Sequence, residues 1–311
     1  MSKSGGGAAW TALETLATEL YVTADDLLRA HPEQLPERPE VGFVPGITDA
    51  ELITLAVLQA LWGYTSETRW LRRVHKDVRL RGMFPQVPKQ SGYNKRLRKL
   101  AGTMAWLIAQ LGELSGLAGD DVVVVDSTPV ECGRSRETAR RSNLAGWASY
   151  GYCASHTRWF WGLRLHLVCT LHGLPLGWAL TEATADEREV AAILVTQVPS
   201  LRDRPLVIIG DKNYYGRVFD ADLAVSGARV LRPARCGEKP RPGAGILKSL
   251  RQTIESINQT LKGQLDLERH GGRTIAGVCA RVTQRVLALT AAIWHNYRHG
   301  HTPRTLTPYD H

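Results

Sequence analysis

Apolar residues recur at helical spacing through roughly the first hundred positions. Leu13, Leu16 and Leu20 follow Trp10 at such intervals, and four prolines, Pro32, Pro36, Pro39 and Pro45, then interrupt the pattern. Thr48 and Glu51 form a T-x-x-E capping box that predicts a helix from Leu52 to Trp62, ended by Gly63. Ser66 is placed to cap the next helix, in which Trp70, Leu71, Val74 and Val78 make one apolar stripe and Gly82 the stop. A longer helix is predicted from about Tyr93 to Leu114, with basic first turns and then a stripe of Leu100, Met104, Leu107, Ile108 and Leu111.

The pattern changes near residue 118. Val122 to Val125 is a short β-branched run ending at Asp126, whereas 127–158 is polar, Gly- and Arg-rich and reads as a long loop. Trp159 to Thr170 and Leu174 to Thr181 flank His172-Gly173 as a hairpin, and Asp186 with Glu189 caps a helix running to about Val198. Leu206 to Gly210 reads as another buried strand ending at Asp211, with a further strand at Val230 and Leu231. An insertion at 233–247, rich in Pro, Gly and Arg, leads into a helix from about Lys248 to Leu267. The expected organisation is an all-helical region at 1–118 and an α/β domain at 119–311, with no internal repeat.

Composition adds little until charge is mapped. The 311 residues are 43% hydrophobic and 22% charged, a globular balance that excludes collagen-like and low-complexity classes. Five cysteines without a C-x-x-C suggest neither a disulfide framework nor a zinc ribbon, and point to a reducing, cytoplasmic setting. No signal peptide or membrane span is expected. The net charge is +9, and Arg69, Arg72, Arg73, Lys76, Arg79, Arg81, Lys89, Lys95, Arg96, Arg98 and Lys99 face a single acid, Asp77, within residues 69–99. That segment carries +10, so taking 10 from 9 leaves −1 for the rest of the chain. Concentrated basic charge on short helices is the footprint of a DNA reader, with Arg69, Arg72, Arg73, Lys76, Lys95, Arg96, Arg98 and Lys99 as the candidate contacts. A solvated face of a helical packing domain is the alternative.

The candidate chemistry lies in carboxylates. VVVVDS and LVIIGDK each deliver an Asp where a buried strand ends, the position at which open α/β sheets bind ligands, although such an Asp also serves as an ordinary turn residue. In LKSLRQTIESINQTLKG, Arg251, Glu255 and Lys262 fall on one helical face. For this composition R-x3-E-x6-K should occur by chance about 0.04 times. Trp159, Phe160 and Trp161 offer base stacking or, for two of the three, core packing. Arg134, Arg136, Arg140 and Arg141 form a second basic cluster diluted by Glu131 and Glu137. His295, His299 and His301 read as a polar C-terminal tail. GAGILKS lacks the Gly of a phosphate loop, and no G-x-S-x-G is present.

The order Asp126, Asp211 and then Glu255 within R-x3-E-x6-K resembles the DDE transposases of bacterial insertion sequences. The resemblance covers about residues 119–300 and implies a ribonuclease-H-like mixed sheet with flanking helices. It also implies that the helical N-terminal region binds transposon ends. Asp126, Asp211 and Glu255 would be the catalytic residues and metal ligands, holding two Mg²⁺ ions for which Mn²⁺ substitutes, with Arg251 and Lys262 in support at DNA phosphates. Terminal-repeat and target duplexes, a homodimer on DNA and a nucleoid location are implied likewise. Lys248 stands where the family's signature usually has Tyr, so that Tyr's role does not transfer. A domesticated DDE-type nuclease and a non-catalytic DNA-binding regulator are the alternatives.

Overall fold

The computed structural model describes residues 4–38, 45–153, 157–201, 204–239 and 244–309. Pro39 and the side chains of Trp10 and Lys248 lie outside the described residues. In chain order the elements are α1 (Ser4–Ala30), α2 (Asp49–Leu61), α3 (Glu67–Lys76), α4 (Val78–Met83), α5 (Gln90–Lys99), α6 (Ala101–Leu114), β1 (Val122–Gly133), α7 (Arg136–Arg141), β2 (Ser149–Cys153), β3 (Arg158–Thr170), β4 (Pro175–Glu182), α8 (Glu187–Gln197), β5 (Leu206–Ile209), α9 (Arg217–Val225), β6 (Ala228–Leu231), α10 (Ala244–Gln259) and α11 (Ile275–Arg298).

They fall into two compact units. One comprises Met1–Gln110, Gly263–Gly272 and Ala276–His311, and the other Leu111–Lys262 with Arg273–Ile275. A single cut after residue 118 therefore does not follow the packing, because α11 clusters with the N-terminal helices.

In the helical unit the capping box at Thr48 is complete: Glu51 N–H donates to Thr48 Oγ1 at 3.1 Å and Thr48 N–H to the Glu51 carboxylate at 2.7 Å. The helix expected to run from Ser66 to Gly82 is instead two. Asp77 ends α3 and caps α4 by accepting from the amides of Arg79 and Leu80, which turns Val78 out to 74% exposure. The expected 93–114 helix also breaks, at Leu100, into α5 and α6. Helix α11 has no counterpart among the predicted elements. It is long and apolar enough to cross a membrane, but 78% of its apolar window is buried inside the protein. His295 is part of it and is 4% exposed, so it does not belong to a polar tail.

The α/β unit has a mixed sheet ordered β2-β3-β1-β5-β6, with β4 also paired to β3. β1, β3 and β4 are antiparallel neighbours, and β5 and β6 continue the sheet parallel to β1. With its flanking helices this is the ribonuclease-H-like α/β architecture, preceded by the all-helical N-terminal region. The expected loop at 127–158 is a correction: β1 runs on to Gly133, and α7 and β2 follow. Pro129 is tolerated in β1 because β5 pairs only with Val122–Val124, leaving β3 as the partner further on. Gly151, which read as a loop residue, and Gly162, within the expected strand, sit where backbone and rings crowd them. A Cβ on Gly162 would stand 2.2 Å from the Val130 carbonyl oxygen, and one on Gly151 2.8 Å from the Phe160 ring.

Candidate active site at the strand ends

Two parallel strands set the two aspartates side by side. Val124 of β1 lies opposite Ile209 of β5, and Asp126 and Asp211 each stand two residues further on. Adjacent strands are about 4.8 Å apart, so this equal register brings both side chains to one edge. Helix α10 packs on β1 and β5. From it Arg251 and Glu255 reach the same cavity, of about 550 Å³, that Asp126 and Asp211 line. Lys262 lines it too, from a π-helical segment, Thr260–Gln264, which continues α10. A wider turn of this kind is frequent at functional sites. All five residues of the D, D, R-x3-E-x6-K pattern thus meet at one place.

Their surroundings differ. Asp126 accepts a hydrogen bond from Asn258 Nδ2 at 2.9 Å. Burial pushes its carboxyl up to about 7, against the Ser127 amide; the charges of Glu187 and Asp211 add to the rise and Arg251 opposes it. Asp211 is held as an Asx turn, accepting from Asn213 N–H at 2.7 Å and from Asn213 Nδ2 at 2.9 Å. Glu255, 62% exposed, pairs with Arg251 at 3.6 Å.

The sequence reading missed Ser127, Arg164, Glu187, Asn213 and Asn258 among the residues of this cavity. Glu187, at the start of α8, accepts from Ser127 Oγ at 2.8 Å and pairs with Arg164 of β3, which also donates to Ser127 Oγ at 3.0 Å. The helix cap expected from Asp186 and Glu189 is made by Asp186 alone, accepting from Arg188 N–H, and this leaves Glu187 facing the cavity. Asn258 was findable, since it lies three residues after Glu255 and so on the same helical face. No sequence signal marked Arg164.

Of the eight basic residues singled out in the helical unit, Arg69, Arg72, Arg73, Lys76, Lys95, Arg98 and Lys99 are exposed. Arg96 is spent inside the fold, donating to the Ile47 carbonyl at 2.9 Å and to Asp49 at 2.5 Å. In the α/β unit, Arg134, Arg136, Arg140 and Arg158 line an open hollow with Trp159. Trp159 is 71% exposed, whereas Phe160 and Trp161 are buried.

Residues 117–291 match a family model described as the transposase DDE domain, and transposases of that class generally use divalent metal ions. Among solved structures, a piggyBac transposase synaptic complex with hairpin DNA aligns with a TM-score of 0.45 and 8% identity, over 97% of this chain and 78% of that chain. No curated protein matches the sequence.

Proposed function

Since the chain belongs to the transposase DDE domain family over residues 117–291, we propose that it is a DNA transposase that cleaves transposon ends and joins them to target DNA by metal-dependent phosphodiester transfer. The observation that carries this is the equal register of Asp126, within β1, and Asp211, just past the end of β5, each two residues beyond the parallel pair Val124 and Ile209, with Glu255 lining the same cavity.

The donor set suits a hard cation. Asp126, Asp211 and Glu255 offer carboxylate oxygens, no His lines the cavity and its one Cys, Cys153, comes from the edge strand β2; oxygen ligands are what Mg²⁺ selects. Burial raises the carboxyl of Asp126, and the charges of Glu187 and Asp211 add to the rise, so a cation arriving there would relieve both. Two Mg²⁺ ions held there, or Mn²⁺ in their place, would supply the activated oxygen nucleophile and stabilise the leaving oxygen. The protein does the rest. Asn258 fixes the orientation of Asp126, and Asn213 that of Asp211. Arg251 and Lys262 hold the DNA backbone at the cavity rim, and the exposed arginines and lysines of α3 and α5 bind the duplex of a transposon end. Arg134, Arg136, Arg140 and Trp159 extend the phosphate and base contacts on the α/β unit. Joining two ends requires two copies, so the working form on DNA is a homodimer, acting at the bacterial nucleoid as an insertion-sequence enzyme.

The test is a supercoiled plasmid carrying the DNA that flanks this chain's gene, incubated with purified protein. Nicks at the element boundary that require Mg²⁺ and disappear in the Asp126→Asn protein are expected. Cleavage in EDTA, or at the wild-type rate by Asp126→Asn, would reject the proposal.

A further inference from the structure

His295, which the cavity chemistry does not use, sits in a hydrogen-bond chain that determines where its proton is. Asn296 Nδ2 donates to the carbonyls of Pro303 and Thr305 at 2.9 and 2.8 Å, so its Oδ1 is the acceptor on the other side. Tyr309 Oη donates to that Oδ1 at 2.5 Å. Having given its proton, Tyr309 Oη stands as an acceptor toward His295 Nδ1, 2.7 Å away, so Nδ1 carries the hydrogen. The lone pair is left on Nε2, which is buried and has no hydrogen-bond partner among the described residues.

What stands next to that lone pair is a ligand set. His299 is one helical turn further along α11, its ring centroid 4.5 Å from that of His295. Glu19 of α1 accepts from His299 Nε2 at 2.7 Å through Oε1, while its Oε2 is buried without a hydrogen-bond partner and forms an ion pair with Arg298 Nε at 3.8 Å. One donor atom from each of Glu19, His295 and His299 lies within 4.8 Å of the others. All three belong to the helical unit. His301, stacked on His299 with centroids 6.4 Å apart, is the neighbouring side chain able to complete a fourth position, and water is the other.

We propose that Glu19, His295 and His299 form a zinc site that clasps α1 to α11, separate from the carboxylate cavity of the α/β unit. Two imidazoles i and i+4 on a helix, a carboxylate from a second helix and a hydroxyl that orients the buried ring are the parts of a nitrogen-rich site. Borderline-soft Zn²⁺ favours such a donor set over Mg²⁺. Binding would displace the His299–Glu19 hydrogen bond and place the ion where His295 Nε2 has no hydrogen-bond partner and Glu19 Oε2 has only the Arg298 ion pair at 3.8 Å.

The test uses full-length chain without a histidine tag, in an Asp126→Asn/Asp211→Asn background so that ions at the strand ends are not counted. Zinc is titrated by calorimetry and Co²⁺ by its visible d–d absorption. One ion per chain, d–d bands of a nitrogen-ligated site and a higher melting temperature with zinc are expected. Glu19→Gln/His299→Ala should remove the bands and lower zinc affinity by at least about tenfold, and Tyr309→Phe, which keeps the ring but frees the His295 tautomer, by about 10- to 100-fold. Circular dichroism without zinc checks that each variant is folded. A chain that takes up no zinc, or wild-type affinity in either variant, would overturn the proposal.

Discussion

Glu67 and Asp126 are both carboxylates set among amides and guanidinium groups, yet their surroundings are built on opposite terms. Glu67 is 7% exposed and fully answered: Gln90 Nε2 donates to it at 2.5 Å, Asn94 Nδ2 at 2.8 Å, and Arg281 forms an ion pair with it. Gln59 Oε1 beside it accepts from Tyr93 Oη at 2.8 Å and from Gln284 Nε2 at 3.2 Å, and Gln284 Nε2 also donates to the Ala56 carbonyl. Asp126 has Asn258 on one oxygen, and burial first, with the charges of Glu187 and Asp211 adding to it, raises its carboxyl to about 7. A closed polar cluster stabilises the position of helices, whereas an open anionic one is stabilised by something that arrives. Removing a residue from the first should cost stability, and from the second, activity.

The largest effect expected is at the open cluster. Asp126→Asn and Asp211→Asn should each lower strand cleavage by at least about a thousandfold, upwards of 4 kcal/mol in the barrier. Gel-shift binding of end DNA and thermal stability should be unchanged or higher. Loss of stability in parallel with activity would erase the distinction between the clusters.

At the closed cluster, Glu67→Ala leaves the Arg281 guanidinium buried and unpaired. It should cost about 3–5 kcal/mol of unfolding free energy, read from urea titration. A loss below about 1 kcal/mol would show that the cluster is not closed.

The same contrast divides the basic residues. Replacing Arg72, Lys95, Arg98 and Lys99 by Ala should lower the slope of log K against log salt by about 0.9 per lost phosphate contact without altering the melting temperature. Arg96→Ala should behave the other way, because its partners Asp49 and Ile47 are internal. An unchanged slope in the fourfold variant would move end recognition elsewhere.

The smallest effect concerns His166 of β3, which donates to or accepts from Thr181 Oγ1 at 2.9 Å. Burial first, and then Arg164, lowers its pKa to about 4. The unfolded chain takes up this proton below about pH 6.5 and the folded one only near 4, so the stability is present above 6.5 and is lost as pH falls through that window. His166→Gln should flatten the stability profile between pH 6.5 and 4 by on the order of 1–3 kcal/mol relative to wild type. Parallel profiles would contradict it.

These differences explain which parts of the molecule were legible in its sequence. The capping box at Thr48, the β-branched runs before Asp126 and Asp211 and the face of Arg251 and Glu255 are local patterns, and local patterns survive being read without partners. Asp126 nevertheless lies inside β1 and not at the strand end expected for it. Helix α11 was not legible because it is buried on nearly every side. Thr283, Gln284 and Arg285 interrupt its apolar run, and their partners come from elsewhere: Arg285 Nε donates to the Asp266 carbonyl at 3.2 Å, and Gln284 reaches α2. The extension of β1 past Asp126 was hidden by Pro129, and β2 by Gly151, whose missing side chain is demanded by the Phe160 ring across the sheet. Arg164 enters the cavity through the pairing of β3 with β1, and Glu187 through the packing of α8 on those strands, which no spacing along the chain encodes.

The central claim, that the open cluster is a divalent-cation site, is tested most directly by crystals of the protein soaked in Mn²⁺ and measured at the manganese edge. Anomalous density is expected between the carboxylates of Asp126, Asp211 and Glu255, and should vanish in Asp126→Asn/Asp211→Asn crystals. Well-ordered carboxylates with no anomalous density among them, or density that persists in the double variant, would contradict it.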